Sequence, residues 1–294
     1  MTKRPGTRLP RLTTILAGML MFIGLSVAAA AAKDLDPVKD FLISQGIHSD
    51  VIQQAFSPEP ELMLQTVASA MRIREGELNY DQYLQPWALK RSRQFLRDNE
   101  ELLQRMEKTF QVDRYTVTAI LLVETRIGGY TGRTPILNIL TTLALMDQPS
   151  FQDTIWAMLP EKDRSERDRS RFNARLEQRA KRGRKDLTAL FKWYADKPSE
   201  ISSLKGSIMG AVGWPQFLPD NVLHYGVDAD QDGRIDLFDP ADAAFSVAKY
   251  LRAAGWRADS DTTQKKAILR YNRSRPYMQT IKDLAQKLKK AEVE

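Results

Sequence analysis

Cysteine is absent from the 294 residues, and histidine occurs only as His48 and His224. These two absences exclude disulfides, thiolate metal sites, cysteine nucleophiles and any multi-histidine zinc centre. The chain also lacks a G-x-S-x-G elbow, a G-x-G-x-x-G turn and a G-x-x-x-x-G-K-[ST] loop, which leaves serine-hydrolase and nucleotide chemistry without a foothold. Sustained alternation of apolar and polar residues is missing too, so any sheet is small. What is present is enough apolar material for a real core, 43% of residues, with 28% charged. Acid/base chemistry on carboxylates, a hard-cation site, or no chemistry at all remain open.

Acidic residues are missing from the first 33 positions, which carry Lys3, Arg4, Arg8 and Arg11. An apolar run from Ile15 to Val27 and five alanines follow. Residues 1–32 therefore read as a secretory signal, with an uncleaved anchor as the alternative. No cysteine follows the apolar run, so a lipid anchor through Cys is excluded. Removing the signal lowers the formal charge from +7 to 40 − 37 = +3. Export to a periplasmic location and this modest charge argue against nucleic acid as a partner.

From residue 33 onward the pattern is helical. DPVKDFLISQGI opens with Asp36 and Pro37 and stops at Gly46, and a second helix starts at Ser49. Residues 89–110 carry an amphipathic stripe that predicts one continuous helix. Residues 161–186 hold eleven Lys/Arg against six Asp/Glu. They read either as a solvated helix laced with i,i+4 ion pairs or as a positive surface for an anionic polymer or membrane.

Three constellations carry possible chemistry. In DRYTVTAILLVETRIGG, Asp113 is an N-cap and Gly128-Gly129 a stop, and Glu124 falls on the apolar stripe of Val117, Ile120 and Leu121. Burial on that face raises a Glu pKa and suits a general acid, whereas a buried cation such as Arg126 beside it would make it structural. In VDADQDGRIDLFDPAD, Asp228, Asp230 and Asp232 alternate before the turn Gly233, a spacing that converges oxygens on Ca²⁺. Arg234 offers its carbonyl, Asp239 and Asp242 compete for the bidentate position, and a metal-free acidic turn is the alternative. In KGSIMGAVGWPQFLPDN and YNRSRPYM, small residues permit close approach of a ligand. There Gln216 and Asn272 offer donor–acceptor pairs, and Trp214, Phe217, Tyr250, Tyr271 and Tyr277 either stack on sugars or pack the core.

Taken in order, VETRIGGYTG, GSIMGAVGWPQFLP, VDADQDGRIDLFDPADA and RYNRSRPYM resemble the membrane-bound lytic murein transglycosylase B family, within the goose-lysozyme-like superfamily. The resemblance runs from about residue 36 to 285. It implies a mainly α, lysozyme-like (goose-type) helical catalytic core at 113–290, an additional N-terminal helical region at 33–112, a charged helical insertion at about 150–205 and one EF-hand-like calcium loop at 228–242. It also implies cleavage of the MurNAc–GlcNAc β-1,4 bond of peptidoglycan with 1,6-anhydro ends. Glu124 matches the single catalytic acid. Ser207, Gln216, Tyr250, Tyr271, Asn272 and Tyr277 match the saccharide cleft. Asp228, Asp230, Asp232, Arg234 (by its carbonyl) and Asp242 match the ligands of a structural Ca²⁺. Peptidoglycan glycan strands are the implied partner, with cell-wall synthesis or hydrolysis proteins as further ones. An inactive peptidoglycan-binding scaffold and a hydrolytic muramidase are the alternative functions. The sequence departs from the family pattern in a short stretch between Trp256 and Tyr271, in the length of 161–186, and at Trp214-Pro215-Gln216 and Pro219-Asp220.

Overall fold

A computed structural model describes residues 35–73 and 79–293, and the expected signal at 1–32 lies outside the described residues. Fourteen described α-helices follow one another, and the described residues hold one sheet of two two-residue strands. The first two begin and end where their punctuation places them. Helix α1 spans Asp36–Ser44 and stops before Gly46, whose φ of +81° only glycine adopts without strain; α2 spans Ser49–Ala55. Helix α3 is Leu64–Ala70, and a single 3₁₀ turn at Asp81–Leu84 leads into α4.

The single helix expected over 89–110 is two helices, α4 (Pro86–Asp98) and α5 (Glu100–Phe110). Asn99 breaks it: its side-chain amide and its own N–H both donate to Phe95 O, at 2.9 and 3.1 Å, and its backbone leaves the helical region at φ −125°. Short amide side chains compete in this way with the helix ladder. Asp113 caps α6 (Arg114–Thr125) by accepting from Thr116 N–H at 2.8 Å. Ten of the twelve residues of α6 are buried, which makes it the axis of the core. Around it pack α12 (Pro240–Ala253) and α14 (Arg275–Val293), supplying Val247, Ile281 and Leu284 to the apolar cluster of Val117, Ile120 and Leu121.

The second half of the core is built on α7 (Ile136–Ala144), preceded by strand β1 (Thr134–Pro135) and followed by α8 (Pro149–Ala157) and α9 (Glu161–Ser165). Helix α10 (Arg169–Trp193) runs for 25 residues and lies against α7 and α11 (Pro219–Tyr225). Strand β2 (Lys205–Gly206) pairs antiparallel with β1, Thr134 opposite Gly206. Helix α13 (Asp261–Tyr271) completes the set. The charged stretch carries an i,i+4 pair on its own helix, Arg182 with Asp186 at 3.7 Å, and several of its bases reach other elements: Arg169 to Asp153 at 2.6 Å, Lys185 to Asp220 at 2.7 Å and Arg184 to Asp147 at 2.7 Å. Arg184 also donates to Ala144 O at 2.8 Å, at the end of α7.

Helix α10 can approach α7 this closely because of Gly183. A Cβ there would stand 2.8 Å from Leu143 Cβ and 2.9 Å from Ala144 N. Helix propensity favours alanine over glycine by about 1 kcal/mol, but overpacking against backbone costs about 1–3 kcal/mol. Gly183→Ala is therefore expected to destabilise, a net loss that urea unfolding measures. Three residues on, Asp186 is 3% exposed, and burial raises its carboxyl from 3.8 to about 6 against the opposing pull of the Asp220 N–H and Arg182. The folded state holds this proton more tightly than the unfolded chain. Stability from this group is thus full below about pH 4 and is lost as pH rises through 6, on the order of 3 kcal/mol. The difference in unfolding free energy between wild type and Asp186→Asn, followed from pH 4 to 7, is expected to show that slope.

Candidate active site

Glu124 sits in the last turn of α6, half-buried, where the helix meets an unusual reversal. The stop comes earlier than the glycines. Arg126 and Ile127 already have φ of 55°, and Gly128 follows at 70°. Left-handed backbone is strained at a β-branched residue, by about 1–3 kcal/mol, so surrounding contacts must hold it. Arg91 of α4 supplies them by donating to Arg126 O and, at 3.2 Å, to Ile127 O. Gly128 lies against the Trp214 indole, where a Cβ would fall 2.1 Å from a ring carbon. Thr125 Oγ1 donates to Trp214 O at 3.0 Å, which ties the 213–217 loop to the residue next to Glu124.

Tyr277 reaches Glu124 from α14. Its side chain has no exposed surface, and its hydroxyl donates to Glu124 Oε1 at 2.7 Å. Burial first, then the Glu124 charge, push the Tyr277 phenol well above its ordinary value of 10, and the same two causes act on Tyr271. Both phenols are neutral donors at physiological pH. Tyr271 donates to Pro215 O at 2.5 Å and so fixes the 213–217 loop from the opposite side to Thr125. The Glu124 carboxyl opens into a pocket of about 250 Å³ whose wall includes Tyr80, Tyr83, Val123, Asn272 and Tyr277. Tyr83 is raised by burial, with Arg126 drawing it down and Glu124 pushing it up, which places it within reach of both charges. Among the described residues no second carboxylate lines this pocket.

Of the residues expected in a saccharide cleft, Asn272 and Tyr277 thus share the pocket with Glu124. Tyr271 lies behind them, and Tyr250 one ring further back, 5.0 Å from Tyr271, with its hydroxyl on Arg270 O at 2.8 Å. Phe217 and Tyr277 are too buried to offer ring faces to a sugar. Ser207 and Gln216 lie outside the Glu124 pocket. Ser207 Oγ accepts from Ala211 and Met209 N–H at 3.0 and 3.3 Å and shapes its turn. Gln216, at φ 51°, donates from Nε2 to Gly213 O and Thr131 O at 3.0 and 3.2 Å and faces a neighbouring pocket. The wall formed by Tyr80 and Tyr83 was not among the expected residues. Its only trace in the sequence is a pair of tyrosines three apart before Pro86.

In the acidic loop, carboxylate oxygens of Asp228, Asp230 and Asp242 lie within 4.8 Å of one another. Asp242 is buried, with its oxygens on the N–H groups of Ala229 and Asp236, both at 2.7 Å. Asp239, the other residue expected to compete for the bidentate position, instead caps α12, accepting from Ala241 N–H at 2.7 Å. Asp232 accepts from Arg234 N–H at 2.8 Å and stands apart from the converging three.

The chain matches the family model described as Transglycosylase SLT domain over residues 30–265. The membrane-bound lytic murein transglycosylase B of Escherichia coli (strain K12) is 32% identical over 162 residues, a stretch covering 55% of this chain and 37% of that protein. The fold resembles E. coli Slt35 in complex with calcium, at TM-score 0.70 and 20% identity over 90% of this chain and 95% of the other. It also resembles Pseudomonas aeruginosa SltB3 in complex with NAG-anhNAM-pentapeptide, at TM-score 0.68 and 21% identity over 87% of this chain and 78% of that one. With the family model spanning most of its length, the chain belongs to the SLT transglycosylase domain family.

Proposed function

We propose that the protein is an exported lytic transglycosylase that cleaves the MurNAc–GlcNAc β-1,4 bond of peptidoglycan strands in the periplasm and leaves 1,6-anhydro-MurNAc ends. The observation that carries this reading is Glu124, held by a buried neutral phenol in a pocket that has no second acid among the described residues. Tyr277 engages Oε1, so the acidic proton belongs on Oε2. In the first step Glu124 gives that proton to the glycosidic oxygen as the C1–O bond breaks. In the second, the resulting carboxylate takes a proton from the MurNAc C6 hydroxyl, whose oxygen closes on C1. The acid is regenerated and no water is consumed. Because the nucleophile belongs to the substrate, the paired carboxylates of ordinary glycosidases are not needed. Asn272 lies on the same wall to orient the sugar, and Ser207 and Gln216 serve the extension of the cleft. No helix among the described residues is long and apolar enough to cross a membrane.

Glu124→Gln is expected to lower release of anhydro-muropeptides from purified sacculi by about 10²–10⁴-fold, the usual share of a general acid. Tyr277→Phe keeps the ring and loses the donor, so a fall of about 10–100-fold is expected with the fold intact. Product masses decide the chemistry: anhydro ends are lighter than hydrolysed ends by one water, and a reducing-end majority from the wild type would rule the mechanism out.

A structural Ca²⁺ fits the acidic loop, because three converging carboxylates repel one another without a cation. Asp228, Asp230, Asp232, the Arg234 carbonyl and Asp242 are the proposed ligands. The ion would pin the loop to the start of α12 and takes no part in the acid/base steps. Calcium at 100-fold its dissociation constant adds about 2.7 kcal/mol, so the melting temperature is expected to rise by about 5–10 °C. A chelator is expected to reverse the rise, read by differential scanning calorimetry.

A further inference from the structure

Helix α10 presents Arg175, Arg179 and Arg182 along one face, at i, i+4 and i+7, into a concavity of about 470 Å³. Its other wall includes Met209, Ala211 and Gln216 of the loop that carries Ser207. The three guanidinium groups are poorly neutralised. Arg175 has no carboxylate partner among the described residues. Arg179, half-buried, donates to Met209 Sδ at 3.0 Å, and a thioether is a weak acceptor. Arg182 stands 3.7 Å from Asp186, the one carboxylate in the pocket among the described residues, whose other oxygen already accepts from Asp220 N–H at 3.2 Å. Burial, followed by the charges of Arg175 and Arg182, draws the Arg179 pKa below its ordinary value. Like charges four residues apart destabilise a helix, and this helix cannot turn them away. Gly183 and Arg184 lock its register against α7.

We propose that this pocket is an oxyanion subsite, and that its natural occupant is a carboxylate carried on a side branch of the glycan strand. This extends the proposed function, on which the identity of the occupant rests. Guanidinium forks match carboxylates in plane and spacing, and their charge-assisted bonds are about twice as strong as neutral ones. Gln216 joins the pocket to the loop tied to Glu124, so an anchored side branch would set which bond along the strand meets the acid. The long basic helix is then more than a solvated face. Three of its arginines line one concavity, with Arg179 half-buried and Arg175 and Arg182 exposed at its rim.

Binding in a Glu124→Gln background separates this inference from the chemistry. Affinities for peptide-bearing glycan strands and for an uncharged N-acetylglucosamine tetramer are compared by calorimetry. The peptide-bearing strand is expected to bind about 10–100-fold more tightly. That margin should shrink with salt, vanish in Arg175→Gln/Arg182→Gln and fall at least tenfold in Arg179→Gln. Inorganic phosphate should compete with the charged strand only where the arginines are present. Equal affinities for the two glycans, or a margin that survives in the arginine variants, would overturn the proposal, whether or not phosphate binds. Loss of anhydro products in the wild type with the margin intact would strike the proposed chemistry alone.

Discussion

The Tyr277–Glu124 hydrogen bond is the contact through which the fold and the chemistry meet. A phenol with no exposed surface can keep its hydroxyl inside a core only if the hydroxyl finds an acceptor, because an unpaired polar group there costs about 1–3 kcal/mol. A carboxyl at the edge of an otherwise apolar helix needs a donor for the same reason. Each group satisfies the other, and the two helices that bring them together, α6 and α14, share the apolar cluster of Val117, Ile120, Ile281 and Leu284. Burial that stabilises the domain therefore also fixes the orientation of its acid. The neighbouring phenols follow the same logic. Tyr271 and Tyr83 are pushed upward by burial and by Glu124, so the phenols near the acid stay neutral at physiological pH.

The second constraint is the left-handed reversal after Glu124. Arg126, Ile127 and Gly128 turn the chain back so sharply that Thr125 can hold the 213–217 loop and Gly128 can lie under Trp214. The Arg91 fork and the Trp214 contact stabilise a conformation that the local sequence disfavours. Strain is stored beside the acid and offset from two directions, by α4 on one side and by the 213–217 loop on the other. Strain that persists next to a reactive group is usual where geometry matters more than local comfort.

Much of this was legible in the residues, and the exceptions are instructive. Asp113 and the stripe through Val117, Ile120, Leu121 and Glu124 specify α6 because capping and periodicity are local properties. Asp36 and Pro37, Ser49 and the small size of the sheet were equally local. Asn99 was not, since an amide inside an amphipathic stripe breaks a helix only when its side chain turns back on the backbone. The partners of Arg184 and Lys185 lie 37 and 35 residues away, so no i,i+4 rule finds them. Tyr80 and Tyr83 reach Glu124 only through tertiary packing, and their spacing carries no chemical signature. The proposed cleft residues divide along the same line. Asn272 and Tyr277 reach the acid together because they flank the start of α14, whereas Ser207 and Gln216 belong to a loop whose placement depends on Thr125 and Tyr271.

The loop between β2 and α11 links the two halves of the site. One side is fastened to the acid by Thr125 and Tyr271, both bonded to carbonyls of adjacent residues, Trp214 and Pro215. Its other side lines the arginine pocket through Met209, Ala211 and Gln216. A strand whose side branch settles among the arginines would therefore meet a backbone already referenced to Glu124. A reaction whose nucleophile is the substrate's own hydroxyl depends on such registration more than a hydrolysis does. Water can approach from many directions, but a C6 hydroxyl closes on C1 only when its own ring is correctly seated. In the proposed mechanism a single acid is enough because positioning replaces the second carboxylate, and the positioning elements would be a buried phenol, a strained turn and a pinned loop.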